Sequence, residues 1–458
     1  MARRAIPIIA CSLAILLHAP GAGATELSGP LSGILASDGN PYEVVADIEV
    51  AAGDSLLVQS GCHLLFAAGT AFDIYGHLAV QGGAGADSVR FEAQAPGGAG
   101  AWRGLRLHAG GEALLAGFLI AEAETGFQVF AGRARLADGA VRATSQYGLR
   151  LDDDDIEARR VRVSDARNPG YPGVFAYQAS PLVEDCVVAD CAGSGVGFWG
   201  PAAPRLAGCE VTACRTGVTC VGASAVIERA WIHDNGTPGD FESGAGLYAG
   251  YASGTPVVTD SRFEGNCFGV AVVLDGSVNL GDLINDDPAD DGRNRFAAND
   301  RYDGANRHVW NEPAGTLLAQ NCWWAGSDGV YVTDTALIDG WIFDDEELAG
   351  AGPVLFEPLA PVTAAGPAPA VAAARWLAHP NPANPVFTLR GEAPRAGRLA
   401  VDLLDAAGRL AARAWRGDVD AGPVALALDA GGLASGVYLA RVRLDGRDLG
   451  GARLVLLR

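Results

Sequence analysis

The 458-residue sequence contains no lysine, so all 33 of its basic residues are arginines, against 54 aspartates and glutamates. The net charge of −21 would repel nucleic acid and anionic membranes, because no cationic surface exists to release their counterions. No stretch beyond the N-terminal segment is apolar enough to cross a membrane. Neither a phosphate-binding glycine loop nor a dinucleotide fingerprint occurs. We therefore expect no nucleic-acid partner and no membrane span.

Long helical patterns are also scarce, whereas short runs rich in Val, Leu and Ala recur between the 62 glycines. Such a profile is typical of many short strands joined by turns. At the N-terminus, Arg3 and Arg4 precede an apolar stretch that ends near Ala19, followed by small residues up to Ala24. This arrangement predicts a secretory signal peptide at residues 1–24. We therefore expect a secreted protein or one at the outer cell surface.

Two short stretches, 184–191 and 207–214, each carry two cysteines five residues apart. Along one strand five residues span roughly 16 Å, whereas zinc holds its sulfur ligands at about 2.3 Å, so a four-cysteine metal site is disfavoured although a turn could shorten the span. If the stretches stack, equivalent cysteines lie about 4.8 Å apart. That spacing leaves a disulfide between Cys191 and Cys214 open.

A longer repeat contains these cysteines. Aligning the copies on one turn position gives Ala123, Thr144, Ala166, Cys191, Cys214, Asn235, Asn266 and Asn299. A period near 22 residues with insertions indicates a solenoid, and each copy reads as strand, turn, glycine and strand, with no room for a helix. We therefore predict an all-β fold, a right-handed parallel β-helix. Alternation directs Val218, Cys220, Val270 and Val272 inward.

The aligned turn position also predicts a structural ladder. Stacked asparagine amides hydrogen-bond to one another and to the backbone, and small buried side chains fit the same position. The predicted rungs are Cys191, Cys214, Asn235, Asn266 and Asn299.

Composition divides the rest of the chain. Residues 25–110 read as an N-terminal cap with the first coils, and 111–359 as the main β-helix with a C-terminal cap. Residues 360–375 are rich in Pro and Ala and read as a linker. Residues 376–458 contain about six or seven short strands with turn residues between them, which predicts a small immunoglobulin-like β-sandwich.

The coil region resembles the exported bacterial right-handed β-helix repeat proteins. The resemblance rests on the turn-glycine copies, on "VNLGDLINDDPADDGRNRF" at 278–296 and on "NCWWAGSDG" at 321–329. Relatives often close with Asn-x-Trp-Trp-Gly, whereas here Ala325 precedes the glycine. The resemblance implies the fold. It leaves the activity open, because the fold family includes polysaccharide lyases and hydrolases, epimerases and members without known activity.

The C-terminal region is similar to the sorting domain of type IX secretion cargo, or to related immunoglobulin-like modules. The matching residues include Pro380-Asn381-Pro382, 435–438 and the terminal "RLVLLR". The resemblance implies passage across an outer membrane, with the export machinery as a partner, and attachment to or release from the surface. It assigns no chemistry to this domain.

Two clusters are candidate sites. The acidic stretch 285–294 offers Asp286, Asp287, Asp290 and Asp291 as calcium ligands, although aspartate beside glycine also simply forms turns. Calcium is the one cofactor that we consider. Aromatic residues in neighbouring copies could form a stacking platform for sugar rings: Trp199, Trp231, Tyr248 and Tyr251.

Two functions remain open. No Ser/His/Asp arrangement is evident, and no carboxylate pair of the kind that glycosidases need stands out. We therefore expect a non-catalytic protein with an adhesive or carbohydrate-binding role, whose partner is a polysaccharide or cell-surface glycan. The alternative is a polysaccharide lyase or glycoside hydrolase. Acids converging with arginine in a lateral groove would favour the enzyme, and a smooth face of aromatic or polar ladders would favour the binder.

Overall fold

The structure is a computed structural model, in which the chain falls into two compact units, residues 1–149 and 150–458. It describes residues 24–95, 98–240, 244–251, 253–361, 376–379, 383, 385–393, 397–404, 409–420, 422–444 and 447–456. The predicted signal peptide, except its last residue, and the predicted linker beyond residue 361 lie outside the described residues. The predicted division between cap (25–110) and main coils (111–359) stays a prediction.

The first unit is a stack of short parallel strands. Its strands are β1 (Thr25–Pro30), β2 (Gly33–Leu35), β3 (Tyr42–Val50), β4 (Ser55–Gln59), β5 (His63–Phe66), β6 (Ala71–Ile74), β7 (His77–Gln81), β8 (Val89–Ala93), β9 (Gly104–Leu107), β10 (Glu112–Ala116), β11 (Phe118–Ala121), β12 (Phe127–Val129), β13 (Arg133–Ala137) and β14 (Ala140–Thr144), and β15 (Leu149–Leu151) begins at its last residue. Short 3-10 helices span Ser37–Gly39 and Gly85–Asp87.

These strands form three parallel series, which we call A, B and C in their order along each coil. Series A contains β2, β4, β7, β10 and β13. Series B contains β5, β8, β11 and β14, and series C contains β6, β9 and β12, while β1 pairs with β3 along both its first and its last residues. The long strand β3 serves both, because it pairs with β5 through its first residues and with β6 through its last.

The second unit repeats the same plan up to residue 361. Its strands here are β16 (Ile156–Arg159), β17 (Arg162–Ala166), β18 (Val174–Tyr177), β19 (Leu182–Glu184), β20 (Val187–Ala189), β21 (Ser194–Trp199), β22 (Arg205–Ala207), β23 (Glu210–Thr212), β24 (Thr216–Val221), β25 (Val226–Glu228), β26 (Trp231–His233), β27 (Ala245–Gly250), β28 (Val257–Thr259), β29 (Arg262–Glu264), β30 (Phe268–Val273), β31 (Asn279–Gly281), β32 (Arg295–Ala297), β33 (Val309–Asn311), β34 (Leu317–Ala319), β35 (Trp323–Ala325), β36 (Tyr331–Val332), β37 (Ile342–Phe343) and β38 (Val354–Leu355). A 3-10 helix spans Pro288–Asp290, and the α-helix α1 spans Thr335–Asp339.

In this unit each coil again contributes one strand to each series. Series A runs through β16, β19, β22, β25, β28, β31, β34 and β38. Series B runs through β17, β20, β23, β26, β29, β32 and β35. Series C runs through β18, β21, β24, β27, β30, β33 and β37. Strand β36 departs from the plan, because it pairs antiparallel with β35.

The chain bends between strands through single residues in the left-handed conformation. Asp185 and Asp260 bend the chain from series A into series B, with φ of 52° and 53°, and Asp190 and Asp234 bend it into series C, with φ of 56° and 53°. Aspartate tolerates this conformation better than most residues, because its short polar side chain bonds locally. The aspartates beside the cysteines and asparagines are therefore turn formers.

Apolar side chains of each series fill the interior in columns. One column of series B is fully buried and consists of Val188, Val211, Ile232, Phe263, Phe296 and Trp324. Its rings stack, with centroids 5.2 Å apart for Phe263 and Phe296 and 4.6 Å for Phe296 and Trp324. The predicted inward residues Val218, Cys220, Val270 and Val272 of series C are also buried.

The C-terminal region of the second unit is a small antiparallel sandwich. Its strands are β39 (Leu377–His379), β40 (Val386–Ala393), β41 (Gly397–Leu404), β42 (Leu410–Val419), β43 (Gly422–Asp429), β44 (Gly436–Leu444) and β45 (Arg447–Leu456). They form one sheet in the order β39-β40-β43 and another in the order β42-β41-β44-β45. A common core that includes Phe387, Val401 and Leu454 lies between them. The predicted all-β fold class is confirmed. Within the described ranges, no helix has the length and apolar character needed to span a membrane.

Candidate functional site

The turns between series B and series C carry a buried hydrogen-bonded column. The amide Nδ2 of Asn235 donates to Oδ1 of Asn266 at 3.0 Å, and Nδ2 of Asn266 donates to Oδ1 of Asn299 at 3.0 Å. Each asparagine also bonds a strand carbonyl of the preceding coil, as Asn266 does with Ile232 at 2.9 Å. Asn299 ends the column by donating to Nδ1 of His308 at 3.1 Å. These contacts fix the edge at which series B meets series C.

The cysteines of the same column are buried thiols. The backbone N–H of Cys214 donates to Oδ1 of Asn235 at 3.1 Å, so Cys214 directly precedes the asparagines. The hydrogen bond that Cys214 makes with Cys191, together with burial, holds the pKa of Cys214 well above its ordinary value. The eight cysteines of the described chain are free, and no three His, Cys, Asp or Glu side chains within it come together to hold a metal.

A second column, which the sequence reasoning missed, occupies the turns between series A and series B. The N–H of Ala230 donates to Oγ of Ser261 at 3.1 Å, and the N–H of Ser261 donates to Oδ1 of Asn294 at 3.0 Å. Cys186 and Cys209 belong to it, since the N–H of Cys186 lies 3.4 Å from the Cys209 sulfur. The signal was present in the sequence, because every member lies five residues before a member of the first column.

In the second unit, the strands of series C from β18 to β33 carry no charged residue. Their sequences are VFAY, SGVGFW, TGVTCV, AGLYAG, FGVAVV and VWN. Half of their side chains face the core, and the outward ones are aromatic or small. In a chain with net charge −21, six successive strands without a charged residue form a distinct chemical surface, although Asp152 accepts from the N–H of Tyr177 at its first coil. We call it the aromatic face.

One end of the aromatic face exposes two rings in adjacent coils. Tyr177 and Trp199 pair in register, and they are 47% and 41% exposed. The buried ring of Phe175 supports Trp199 edge-on, with centroids 5.4 Å apart. Trp199 is therefore held in place by packing while much of its surface faces solvent.

Further along the face, the Tyr248 ring lies against Gly250. A β-carbon added to this glycine would be 3.3 Å from the ring. Trp310 stacks on Phe343 with centroids 5.1 Å apart. Tyr251, directly after β27, is 54% exposed. In the intervening strand β24 the side chains that are not fully buried are Thr216, Thr219 and Val221, all half-buried. Rings therefore flank a stretch of small side chains.

Comparison with known proteins addresses the fold. Residues 131–282 match the family described as "Right handed beta helix region". The parallel, in-register pairing of the three series fits that match. The coils form a right-handed parallel β-helix. The sequence matches none of the curated proteins with which it was compared.

Series B gives the β-helix a charged outer face in the second unit. One outward column is Glu210, Trp231, Arg262, Arg295 and Trp323, and its neighbour includes Thr212, His233 and Glu264. We call this the charged face. The predicted sugar platform is therefore not one surface. Trp199 and Tyr248 belong to strands of series C and Tyr251 directly follows one, whereas Trp231 lies on the charged face.

Charged neighbours surround Trp231. The His233 ring stacks on it with centroids 3.8 Å apart, and the Arg262 guanidinium lies 5.2 Å from its centre. His233 is itself bonded to Asp234 at 2.8 Å and to Glu210 at 3.3 Å. Burial lowers the pKa of His233, but these hydrogen bonds and the two negative charges outweigh burial and raise that pKa above its ordinary value. The two carboxylates therefore favour the protonated form of His233.

The predicted calcium ligands do not converge. Asp287 caps the 3-10 helix by accepting from the N–H of Ala289 at 2.9 Å. Asp290 accepts from Nδ2 of Asn279 at 2.8 Å, Asp291 lies 4.0 Å from Arg293, and Asp286 is exposed. Hydrogen bonds within the loop hold Asp287 and one oxygen of Asp290, and among the described residues no three acidic, His or Cys side chains are grouped so that they could hold a metal ion.

Proposed function

We propose that the protein binds a neutral polysaccharide along the aromatic face of its β-helix and has no catalytic role there. The observation that carries the proposal is the combination of exposed, supported rings with the lack of any charged residue in the strands β18 to β33. Aromatic rings bind the apolar C–H faces of sugars while their edges stay hydrated. Because these strands carry no carboxylate, a neutral sugar that binds along them does not have to displace water held tightly by charges on the strands.

The repeat geometry favours a polymer over a single sugar. Equivalent residues of adjacent coils lie about 4.8 Å apart, so Trp199 and Tyr248, two coil steps apart, are separated by roughly 10 Å along the axis. Contacts repeated along one axis suit an extended chain that also repeats. Several weak contacts then add to a useful affinity.

The proposal includes a location. The signal-peptide pattern at residues 1–24 supports export, and the C-terminal sandwich supports a role in sorting or surface attachment through the export machinery. Together they favour an extracellular adhesive or carbohydrate-binding protein. The binding of a cell-surface glycan belongs to the same proposal.

A second candidate is a polysaccharide lyase or glycoside hydrolase that acts on the charged face. The observation that favours it is the convergence of Glu210, Asp234 and His233 beside Arg262. In this arrangement both carboxylates already bond the imidazole, which makes neither of them a ready general acid.

The test is to incubate the full exported chain with a panel of neutral and acidic polysaccharides, with and without calcium. We expect slower migration in native gels that contain a neutral polysaccharide, without unsaturated or newly reducing ends. Products that disappear in Glu210→Gln would support the enzyme. Migration unaffected by every polysaccharide would refute the binding proposal.

A further inference from the structure

The C-terminal sandwich differs in charge from the rest of this acidic chain. Residues 376–458 contain 11 arginines against 8 aspartates and glutamates, whereas residues 1–375 contain 22 arginines against 46 acidic residues. Within the sandwich the excess of arginine lies in one sheet. The strands β42, β41, β44 and β45 carry seven arginines and three aspartates, and the other sheet carries one arginine and two acidic residues. The four-stranded sheet is therefore cationic although the whole chain is strongly acidic.

The alternation of side chains places arginines on the outer side of this sheet. In β41 and β44 every second residue belongs to the core between the two sheets: Leu399, Val401, Leu403, Ala440, Val442 and Leu444. The residues between them face outward. On this outer side Asp402 pairs in register with Arg413 of β42 and with Arg441 of β44, and both arginines are exposed. We call this side of the four-stranded sheet the arginine face.

One buried carboxylate holds two further arginines on the arginine face. Nη2 of Arg416 donates to Oδ1 of Asp402 at 2.5 Å, and Nη2 of Arg443 donates to Oδ2 of the same carboxylate. Asp402 is only 4% exposed, so the guanidinium groups cover it. With Arg413 and Arg441, four arginines surround this one aspartate, and its single charge cannot neutralise all of them.

A row of leucines borders the arginines. Leu404 of β41 pairs in register with Leu410 of β42 and with Leu439 of β44. Leu404 follows Asp402 by two residues and therefore lies on the same side of the sheet. Leu410 is 51% and Leu439 is 45% exposed. The arginine face thus combines a cationic area with an exposed apolar row.

We propose that the arginine face docks on an anionic lipid surface, with its arginines at the phosphate groups and its leucines among the first carbons of the acyl chains. Guanidinium groups bind phosphate through paired N–H donors, and each arginine close to an anionic membrane adds to the affinity. An exposed apolar row beside cationic side chains is typical of surfaces that lie at a membrane interface. An acidic polysaccharide would satisfy the arginines but would leave the leucine row in water, which favours the lipid surface.

The acidic coils do not prevent this contact. At physiological ionic strength, charges separated by more than about 8 Å are largely screened, so only the residues close to the lipid heads decide the sign of the interaction. The repulsion from anionic membranes that the net charge predicts therefore does not extend to the arginine face. The proposal does not depend on polysaccharide binding by the β-helix.

The experiment is to mix the full exported chain with sucrose-loaded vesicles of phosphatidylcholine alone, or of equal parts phosphatidylcholine and phosphatidylglycerol, at physiological ionic strength. Sedimentation of the vesicles measures the bound fraction of the protein. We expect binding to the anionic vesicles and none to phosphatidylcholine, and we expect it to weaken when sodium chloride is added. Equal binding to both kinds of vesicle, or binding to neither, would overturn the proposal.

Arginine variants locate the contact. Arg413→Gln/Arg441→Gln removes two exposed charges while Asp402 keeps its two bonded partners, and it should weaken binding more than about tenfold. Arg441→Gln alone should weaken it about fivefold. The matched control is Arg390→Gln, which removes an exposed arginine from the other sheet and should bind as the wild type does. Equal weakening by Arg390→Gln and Arg441→Gln would contradict docking through the arginine face.

Leucine variants distinguish a lipid surface from a soluble polyanion. Leu410→Ser/Leu439→Ser should weaken vesicle binding several-fold, because these side chains would no longer leave water. Undiminished binding by this variant would indicate an acidic polymer as the partner and would overturn the proposal. Circular dichroism checks that each variant is folded, and Arg441→Gln with Leu439→Ser carries the test if a double variant is not. Trp199→Ala should leave vesicle binding unchanged, which separates this surface from the aromatic face.

Discussion

Series B and series C of the second unit are neighbours in every coil, yet their outer faces have opposite chemistries. The residue four positions before each ladder residue faces outward on series B, and this position holds Glu210, Trp231, Arg262 and Arg295. The residues after the ladder turn form series C, which carries rings and small side chains. An outward residue that comes shortly before the ladder residue of its coil therefore lies on the charged face, and one that comes after the ladder turn lies on the aromatic face.

The ladder column keeps the two faces distinct. A shift of one residue in a strand would exchange its inward and outward side chains, and the asparagines prevent such a shift because each has several fixed partners. The following predictions test the edge between the faces first and the faces themselves afterwards, in order of decreasing effect.

The largest expected effect is the acid sensitivity of His308, where the ladder ends. Burial lowers the pKa of His308 to about 3, and its Nε2 donates to the Ala325 carbonyl at 2.9 Å. In the unfolded chain His308 becomes protonated near pH 6.5. Its contribution to the free energy of unfolding is therefore fully present above that pH and is lost as the pH drops toward 3. The loss should total on the order of 4 kcal/mol.

Urea unfolding at pH 7 and pH 4 measures most of this loss, roughly 3 kcal/mol. His308→Gln removes the titrating group, so the variant should lose clearly less stability between the two pH values than the wild type does. Equal losses in both proteins would show that His308 is not buried as a neutral ring.

The next largest effect is expected when one asparagine of the ladder column is replaced. Asn266→Leu leaves the Ile232 carbonyl and the Asn235 N–H without their partners in the core, at about 1–3 kcal/mol each. We expect a destabilisation of roughly 3 kcal/mol, measured by chemical denaturation. The control is Asn168→Leu in a surface turn, which should cost less than about 1 kcal/mol. A ladder variant as stable as this control would contradict the account.

The sequence predicted the coil fold and the ladder position, because their signals recur in every copy. It did not distinguish the two faces. Trp199 and Trp231 both lie near cysteines or asparagines, but Trp231 precedes its ladder residue by four positions, whereas Trp199 follows Cys191 by eight. Only the pairing register of the strands shows that the first of these sequence separations places a residue on the charged face and the second places it on the aromatic face. Contacts such as Arg295 on Trp323 join residues of adjacent coils, and the insertions between copies hide that pairing.

The aromatic face gives the third prediction. Trp199→Ala removes an exposed ring and should weaken neutral-polysaccharide binding about tenfold, or about 1.4 kcal/mol. The matched control is Trp231→Ala on the charged face, which should bind as the wild type does. Affinity electrophoresis compares the three proteins. Weaker binding by Trp231→Ala than by Trp199→Ala would place the glycan on the charged face.

The smallest effect concerns His233 on the charged face. Because its pKa is raised by Asp234 and Glu210, its stabilising contribution is present below about pH 6.5 and is lost as the pH rises through the higher folded value. This sign is opposite to that of His308. Thermal unfolding across this range should show a smaller decrease for His233→Gln than for the wild type, and an identical decrease would show that Asp234 and Glu210 do not stabilise the protonated form of His233.

Hydrogen–deuterium exchange with and without a bound neutral polysaccharide tests the central claim most directly. We expect added protection in peptides that cover 174–177, 194–199 and 245–250, the strands of the aromatic face. Peptides that cover 210–212 and 231–233 should exchange as in the free protein. Protection confined to the latter peptides would contradict the assignment of binding to the aromatic face.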